Sequence, residues 1–224
     1  TSGASVHKLT ITSTLLILGV GMKFRSTLLC AALGMGCLVT AHADTLAKVR
    51  ENGYITLAYR ESSVPFSYLD AGKRVGMTVE MSEAIADAVK KAVGKPNLEV
   101  KWQAVTSQNR IPLLSNGTVD LECGSTTNNS VRGKEVDFTI NHFYTGTRLL
   151  VKKTSGVKNY ADLKGKTVAI TSGTTNLQVM RKYSADKGLD LNIIMPKDHV
   201  DGFLQVQQDR VVAFGMDDVL LFGL

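Results

Sequence analysis

The chain has 224 residues, 44% of them hydrophobic and 21% charged, which is the composition of an ordinary globular protein with room for one large domain or two small ones. Its formal charge of +6 overstates how basic it is, because residues 1–43 hold Lys8, Lys23 and Arg25 and no acid, leaving 23 basic residues against 20 acidic ones in the remainder. That remainder has no Lys/Arg run and no basic stripe interleaved with aromatics, so nucleic acid is excluded as a natural partner.

The N-terminal segment reads as an address. Met22-Lys23-Phe24-Arg25 is a short basic start, Leu28 to Val39 is apolar, and Ala41-His42-Ala43 is a small-x-small cleavage site. This is the pattern of a secretory signal peptide over 22–43, cleaved after Ala43. Residues 1–21, ahead of Met22, read as untranslated upstream sequence. Leu15 to Val20 is also apolar, but Lys23 and Arg25 interrupt the two runs, and neither alone reaches the ~20 residues of a membrane span. Gly34-Met35-Gly36 before Cys37 does not match a lipobox. Export leads to an oxidising compartment and leaves Cys123 as the one cysteine of the mature chain, either a small buried residue or half of a bridge to a partner outside this sequence.

From Asp44 the elements follow in order. Thr45 caps a short helix that stops at Asn52-Gly53, and Tyr54–Tyr59 is a strand. Arg60 to Tyr68 follows that strand's end, and Asp70-Ala71-Gly72-Lys73 is a turn. A helix after Gly76 carries Met81, Ile85, Ala88, Val89 and Ala92 on one face and ends at Gly94 and Pro96. Leu98–Ala104 is a strand, Thr106 caps a helix bearing Arg110, and Asn116-Gly117 ends it before a strand near Thr118–Leu121. This β-α-β-α-β order predicts a parallel sheet flanked by helices. Phe143–Lys152 is a strand leaving it. Thr167–Ile170, Leu191–Met195 and Val211–Phe214 are strands of a second unit, with helices from Thr171–Asn176 to Lys187 and over His199–Gln207. The organisation is an α/β fold of two lobes, 44–145 and 146–224, joined by an extended crossing near Asn141–Leu149.

The stretch with most chemical content is Glu122–Thr139. Gly124 lets the backbone approach a ligand, Ser125, Thr126 and Thr127 offer hydroxyls and amides, and Arg132 offers a planar charged fork suited to a carboxylate. Ser172-Gly173-Thr174-Thr175 opens a helix whose free amides favour an anion or simply cap it. Gly165-Lys166-Thr167 lacks the first glycine of a P-loop and precedes a strand, Cys123 has no nearby histidine, and His142 and His199 lack metal-ligand spacing. Polar residues fall repeatedly at strand ends: Arg60, Ser125, Thr127, Arg132, Thr174, Thr175 and Asp217. A cleft between them suits an α-amino acid, with Arg132 on its carboxylate and Asp217 on its ammonium. Arg60, Arg110 and His199 then remain as surplus positive charge, and a second carboxylate on the ligand is the economical way to satisfy them.

These segments, namely Arg60-Glu61-Ser62-Ser63-Val64-Pro65-Phe66-Ser67-Tyr68, Ser107-Gln108-Asn109-Arg110, Glu122 to Asn129, Arg132, Thr171 to Thr175, Lys197-Asp198-His199 and Met216-Asp217-Asp218, resemble the periplasmic glutamate/aspartate-binding proteins. Those are soluble receptors of ABC importers, family 3 extracellular solute-binding proteins of the type II periplasmic-binding-protein fold. The resemblance runs from about Asp44 to the end of the chain. It implies two lobes with mixed, mostly parallel sheets that close on the ligand like a hinge. It implies that Arg132, Ser125 and Thr127 hold the α-carboxylate, with Thr175 added from the second lobe, and that Asp217, helped by Ser125, accepts the ammonium. Arg60, Arg110 and His199, with Ser107, would hold the side-chain carboxylate. It further implies a periplasmic monomer that hands glutamate or aspartate to an inner-membrane permease, with no cofactor, metal or catalysis. The family's chain continues past the point corresponding to Leu224, so the C-terminal part of the fold, with a plausible partner for Cys123, is expected to be missing here. Three rival readings are an exported dehydratase or lyase using Glu61 or Glu122, the ectodomain of a membrane sensor, and a receptor for a neutral or basic amino acid.

Overall fold

A computed structural model describes residues 44–224; the expected signal peptide over 22–43 and the expected upstream segment over 1–21 lie outside the described residues. Helix α1 (Thr45–Asn52) is capped by Asp44, not by Thr45, because the Asp44 carboxylate accepts from the amides of Leu46 and Ala47 at 3.0 and 3.2 Å. Gly53, at φ 75°, closes the helix and turns the chain into strand β1 (Tyr54–Tyr59).

The next segment, expected only as a strand end and a turn, folds as an antiparallel sheet of β2 (Ser62–Ser63), β3 (Ser67–Asp70) and β4 (Lys73–Val75). Ala71 and Gly72 both take positive φ, so the two-residue turn matches the strand twist and brings Asp70 opposite Lys73. Helix α2 (Met77–Val93) then buries Ala86 and Val93 against Val49, Ile55, Leu57 and Leu98. Leu57 is fully buried, worth about 1.5–3 kcal/mol for such a side chain. Strand β5 (Glu99–Ala104) runs parallel to β1, helix α3 (Arg110–Ser115) follows, and β6 (Leu121–Glu122) pairs parallel on the other side of β1, giving the order β5-β1-β6.

The second sheet has the order β7-β10-β8-β9. Strand β7 spans Thr147–Leu150, shorter than the 143–152 expected, because its antiparallel partner β10 (Ala213–Asp217) offers only the positions from Phe214 to Asp217. Strands β8 (Thr167–Ile170) and β9 (Asn192–Ile194) continue it in parallel. Helix α4 (Thr175–Lys187) follows β8, and α5 (His199–Gln207) has the expected bounds. A short α6 (Asp218–Phe222) was not foreseen. Phe66, from the turn between β2 and β3, packs with Ala169, Val206, Phe214 and Met216, so the hairpin contributes to the core of the second sheet. No helix among the described residues is long and apolar enough to cross a membrane.

Candidate functional site

Parallel strands bring their C-terminal ends to one side, where open α/β sheets take ligands. β1 delivers Arg60, β6 delivers the Gly124–Thr127 loop, β8 delivers Thr171–Thr174 and the start of α4, and β10 delivers Asp217. Seven of the nine predicted residues, Ser107, Arg110, Ser125, Thr127, Thr175, His199 and Asp217, line one cavity of about 210 Å³ counted to its open mouth. Arg60 and Arg132 are not on its wall.

Arg132 sits in a single 3-10 turn (Arg132–Lys134) whose start is fixed by the Asn129 side chain accepting from the amides of Val131 and Arg132. Its guanidinium donates to the Thr127 carbonyl at 2.9 Å and to the Gly173 carbonyl at 3.1 Å, so it bridges the loop after β6 to the loop after β8. The same seam holds Thr127 Oγ1 and Thr175 Oγ1 at 3.1 Å, and Ser172 Oγ donates to Gln108 Oε1 at 2.9 Å. Gly173 is required at this seam. Its φ is +74°, and a Cβ there would fall 2.4 Å from the Cα of Gln108.

Arg110, at the start of α3, is 2% exposed, and its Nε and Nη1 have no hydrogen-bond partner. Burial pushes its pKa down to about 9, against the opposing pull of Glu122, so it still carries its charge at neutral pH. Nearby Ser107 Oγ is buried without a partner as well. Asp217, which also lines the cavity, accepts from Asn176 Nδ2 at 2.8 Å, and burial raises its pKa above the usual carboxylate value. The cavity lining therefore holds both an unsatisfied cation and a desolvated carboxyl.

Arg60, behind this wall, forms a buried cluster with His199, which is part of it. Arg60 is fully buried; its Nη2 donates to Asp198 Oδ1 at 3.0 Å and lies 3.5 Å from His199 Nε2. A guanidinium has only donors, so Nε2 accepts, the proton sits on Nδ1, and Nδ1 donates to Thr171 Oγ1 at 3.0 Å. Burial and the charges of Arg60 and Arg110 push the His199 pKa down to about 3, with Asp198 opposing. His199 is thus neutral, with both ring nitrogens engaged, and adds no positive charge to the cavity. The surplus of three cations inferred from sequence reduces to Arg110 at the cavity wall.

This burial has a consequence for acid stability. The unfolded imidazole titrates near 6.5 and the folded one near 3, so the unfolded state binds the proton first. The His199 contribution is fully present above pH 6.5 and is lost as pH falls toward 3, with a slope of at most about 1.4 kcal/mol per pH unit. Melting curves between pH 7 and 4 should show this decline, and His199→Gln should flatten it; an equal slope in the variant would assign the acid sensitivity to other groups.

The two acids considered for catalysis are not at the wall. Glu61 is exposed, and Glu122 turns inward, with Oε2 accepting from Thr126 Oγ1 at 2.7 Å. Cys123 is free and partly buried, and burial pushes its thiol pKa up, away from a reactive thiolate. Among the described residues no three His, Cys, Asp or Glu side chains gather as a metal site. Asp198, Asn176 and Gln108 were not assigned from sequence. Asp198 stood in the sequence only within the Lys197-Asp198-His199 segment of the family resemblance, without a role; in the structure it caps α5 through the His199 amide.

Residues 55–210 match the bacterial extracellular solute-binding proteins, family 3. The chain is 48% identical over 201 residues to the L-glutamate/L-aspartate-binding protein of Pseudomonas aeruginosa, covering 88% of this chain and 67% of that protein. It is 50% identical over 184 residues to the glutamate/aspartate import solute-binding protein of Escherichia coli, covering 82% of this chain and 61% of that protein. Among solved structures, the arginine-bound form of truncated ArgBP from T. maritima superposes with a TM-score of 0.69 at 27% identity, covering 79% of each chain. The chain thus spans about two thirds of the length of the two curated relatives.

Proposed function

The chain belongs to the bacterial extracellular solute-binding proteins, family 3, and on that premise we propose that it captures L-glutamate or L-aspartate in the cleft between its two sheets, as the receptor of an ABC importer. The observation that carries the acidic specificity is Arg110, a buried guanidinium on the cavity wall with Nε and Nη1 unsatisfied and Ser107 Oγ free beside it. A ligand carboxylate is the group that satisfies both, and a buried cation left unpaired is costly. Asp217 would take the ammonium. Ser125, Thr127 and Thr175 would take the α-carboxylate with Arg132, whose guanidinium lies at the seam just outside. Arg60 and His199 would support the second carboxylate from behind Arg110.

In this reading the two larger sheets serve as the lobes 44–145 and 146–224, and the Arg132, Thr127–Thr175 and Gln108–Ser172 contacts would seal the closed form. A closed monomer in the periplasm would present itself to the permease. Glu61 and Glu122 both lie off the cavity wall, which supports a reading in which the ligand is released intact.

Titration calorimetry against glutamate, aspartate, glutamine, arginine and leucine tests this. Binding confined to glutamate and aspartate, with the ligand recovered intact, is the expected result. Tighter binding of glutamine or arginine would keep the fold and sink the assignment of Arg110, and consumption of the ligand would bring the enzyme reading forward.

A further inference from the structure

Asp198 has no place in the site as built so far, yet it makes the one direct ion pair in the buried cluster behind it. Its Oδ1 accepts from Arg60 Nη2 at 3.0 Å, from Ser62 Oγ at 2.6 Å and from the His199 amide at 2.8 Å. Arg60 and Ser62 belong to the segment leaving β1, whereas Asp198 caps α5 beside the second sheet, so the pair spans the two units. Arg60 is fully buried, and its Nε and Nη1 have no partner. Its charge therefore has one protein counter-charge within hydrogen-bond reach, and that counter-charge comes from the opposite side of the cleft.

We infer that Asp198 is a specificity-determining residue: by offsetting Arg60 from inside the protein, it limits how strongly the cleft prefers a ligand with a second carboxylate over its neutral amide. The inference rests on the receptor reading above. Arg60 lies close enough to His199 and the Arg110 wall for its field to reach the cavity. Without the Asp198 charge, that field acts unopposed on the ligand's side-chain end, and in a desolvated site a single unit charge is strongly felt. Asp198 thus trades selectivity for a closed form in which Arg60 is not left unpaired.

Asp198→Asn keeps an oxygen for Ser62 and the His199 amide and remains a good helix cap, so it removes the charge with little change of shape. The ratio of the glutamine to the glutamate dissociation constant should rise roughly tenfold in this variant. Arg60→Gln alone, which leaves the Asp198 carboxylate without its cation, should lower the ratio, and the double variant should recover much of that loss. A ratio that falls in Asp198→Asn, or two affinities that shift equally, would overturn the inference and leave Asp198 as a mere latch. The same four proteins melted without ligand give an independent reading. Losses in melting temperature that are less than additive in the double variant support the pair, and strictly additive losses refute it. A wild-type chain that binds neither amino acid refutes the receptor reading, while the melting cycle still decides whether Asp198 offsets Arg60.

Discussion

Replacing Arg110 with glutamine should weaken glutamate binding sharply and raise the melting temperature of the ligand-free protein. Removing one partner of a buried, hydrogen-bonded charge pair costs about 2–5 kcal/mol, a loss of roughly 30-fold to several thousand-fold in affinity. Glutamine, which brings no second charge, should lose less than about tenfold by the same reasoning. The stability change has the opposite sign because burial disfavours the Arg110 charge in the folded state, which is the cause of its lowered pKa. At neutral pH the group is protonated in both states, and folding must desolvate it with Nε and Nη1 unsatisfied. Calorimetry and a melting curve on the one variant check both halves. Equal losses for glutamate and glutamine would make Arg110 a general structural support, and a lower melting temperature would mean that the packing of its side chain outweighs its desolvation.

The parts of this molecule legible in the sequence are those written locally. Gly53, Gly94 and Gly188 end helices in the left-handed region as their positions suggest, and the alternation of strand and helix gives two largely parallel sheets. Parallel order in turn fixes which ends of the strands carry the polar residues, so Ser125, Thr127, Thr175 and Asp217 were legible from strand ends, while Ser107 was named only through the family resemblance. What could not be read is pairing across long separations. Arg60 and Asp198 are 138 residues apart, and neither segment signals the other. Of the three residues read as surplus positive charge, Arg110 remains unpaired at the wall, whereas the other two have partners the sequence does not signal. Arg60 is offset by Asp198, and His199 is held neutral by its own neighbours. The hairpin of β2, β3 and β4 was missed for a related reason. Its strands are two to four residues long and show no periodicity, so only the Ala71–Gly72 turn and the burial of Phe66 under the second sheet define it.

Asp217→Asn should cost glutamate affinity on the same scale as Arg110→Gln and should also remove its dependence on pH in the mildly acidic range. In the ligand-free protein, burial raises the Asp217 pKa despite the Asn176 hydrogen bond and the fields of Arg110 and Arg132. The ionised carboxylate is the form that accepts an ammonium, so binding favours it. Affinity should therefore fall as pH drops through the raised value, earlier than for an exposed aspartate, and ligand uptake there should release protons. Stability runs the other way. A carboxyl with a raised folded pKa holds its proton longer in the native state, so its contribution is lost as pH rises from the unfolded value through the folded one. The asparagine variant escapes that loss and should melt higher than wild type at pH 7 while binding glutamate at least roughly 30-fold more weakly. Calorimetry from pH 7 down to the ordinary aspartate pKa, in two buffers of different ionisation enthalpy, checks the proton release directly. A wild-type affinity that stays flat over this range would place the ammonium on another acceptor, and Asp217 would then be only a partner for Asn176.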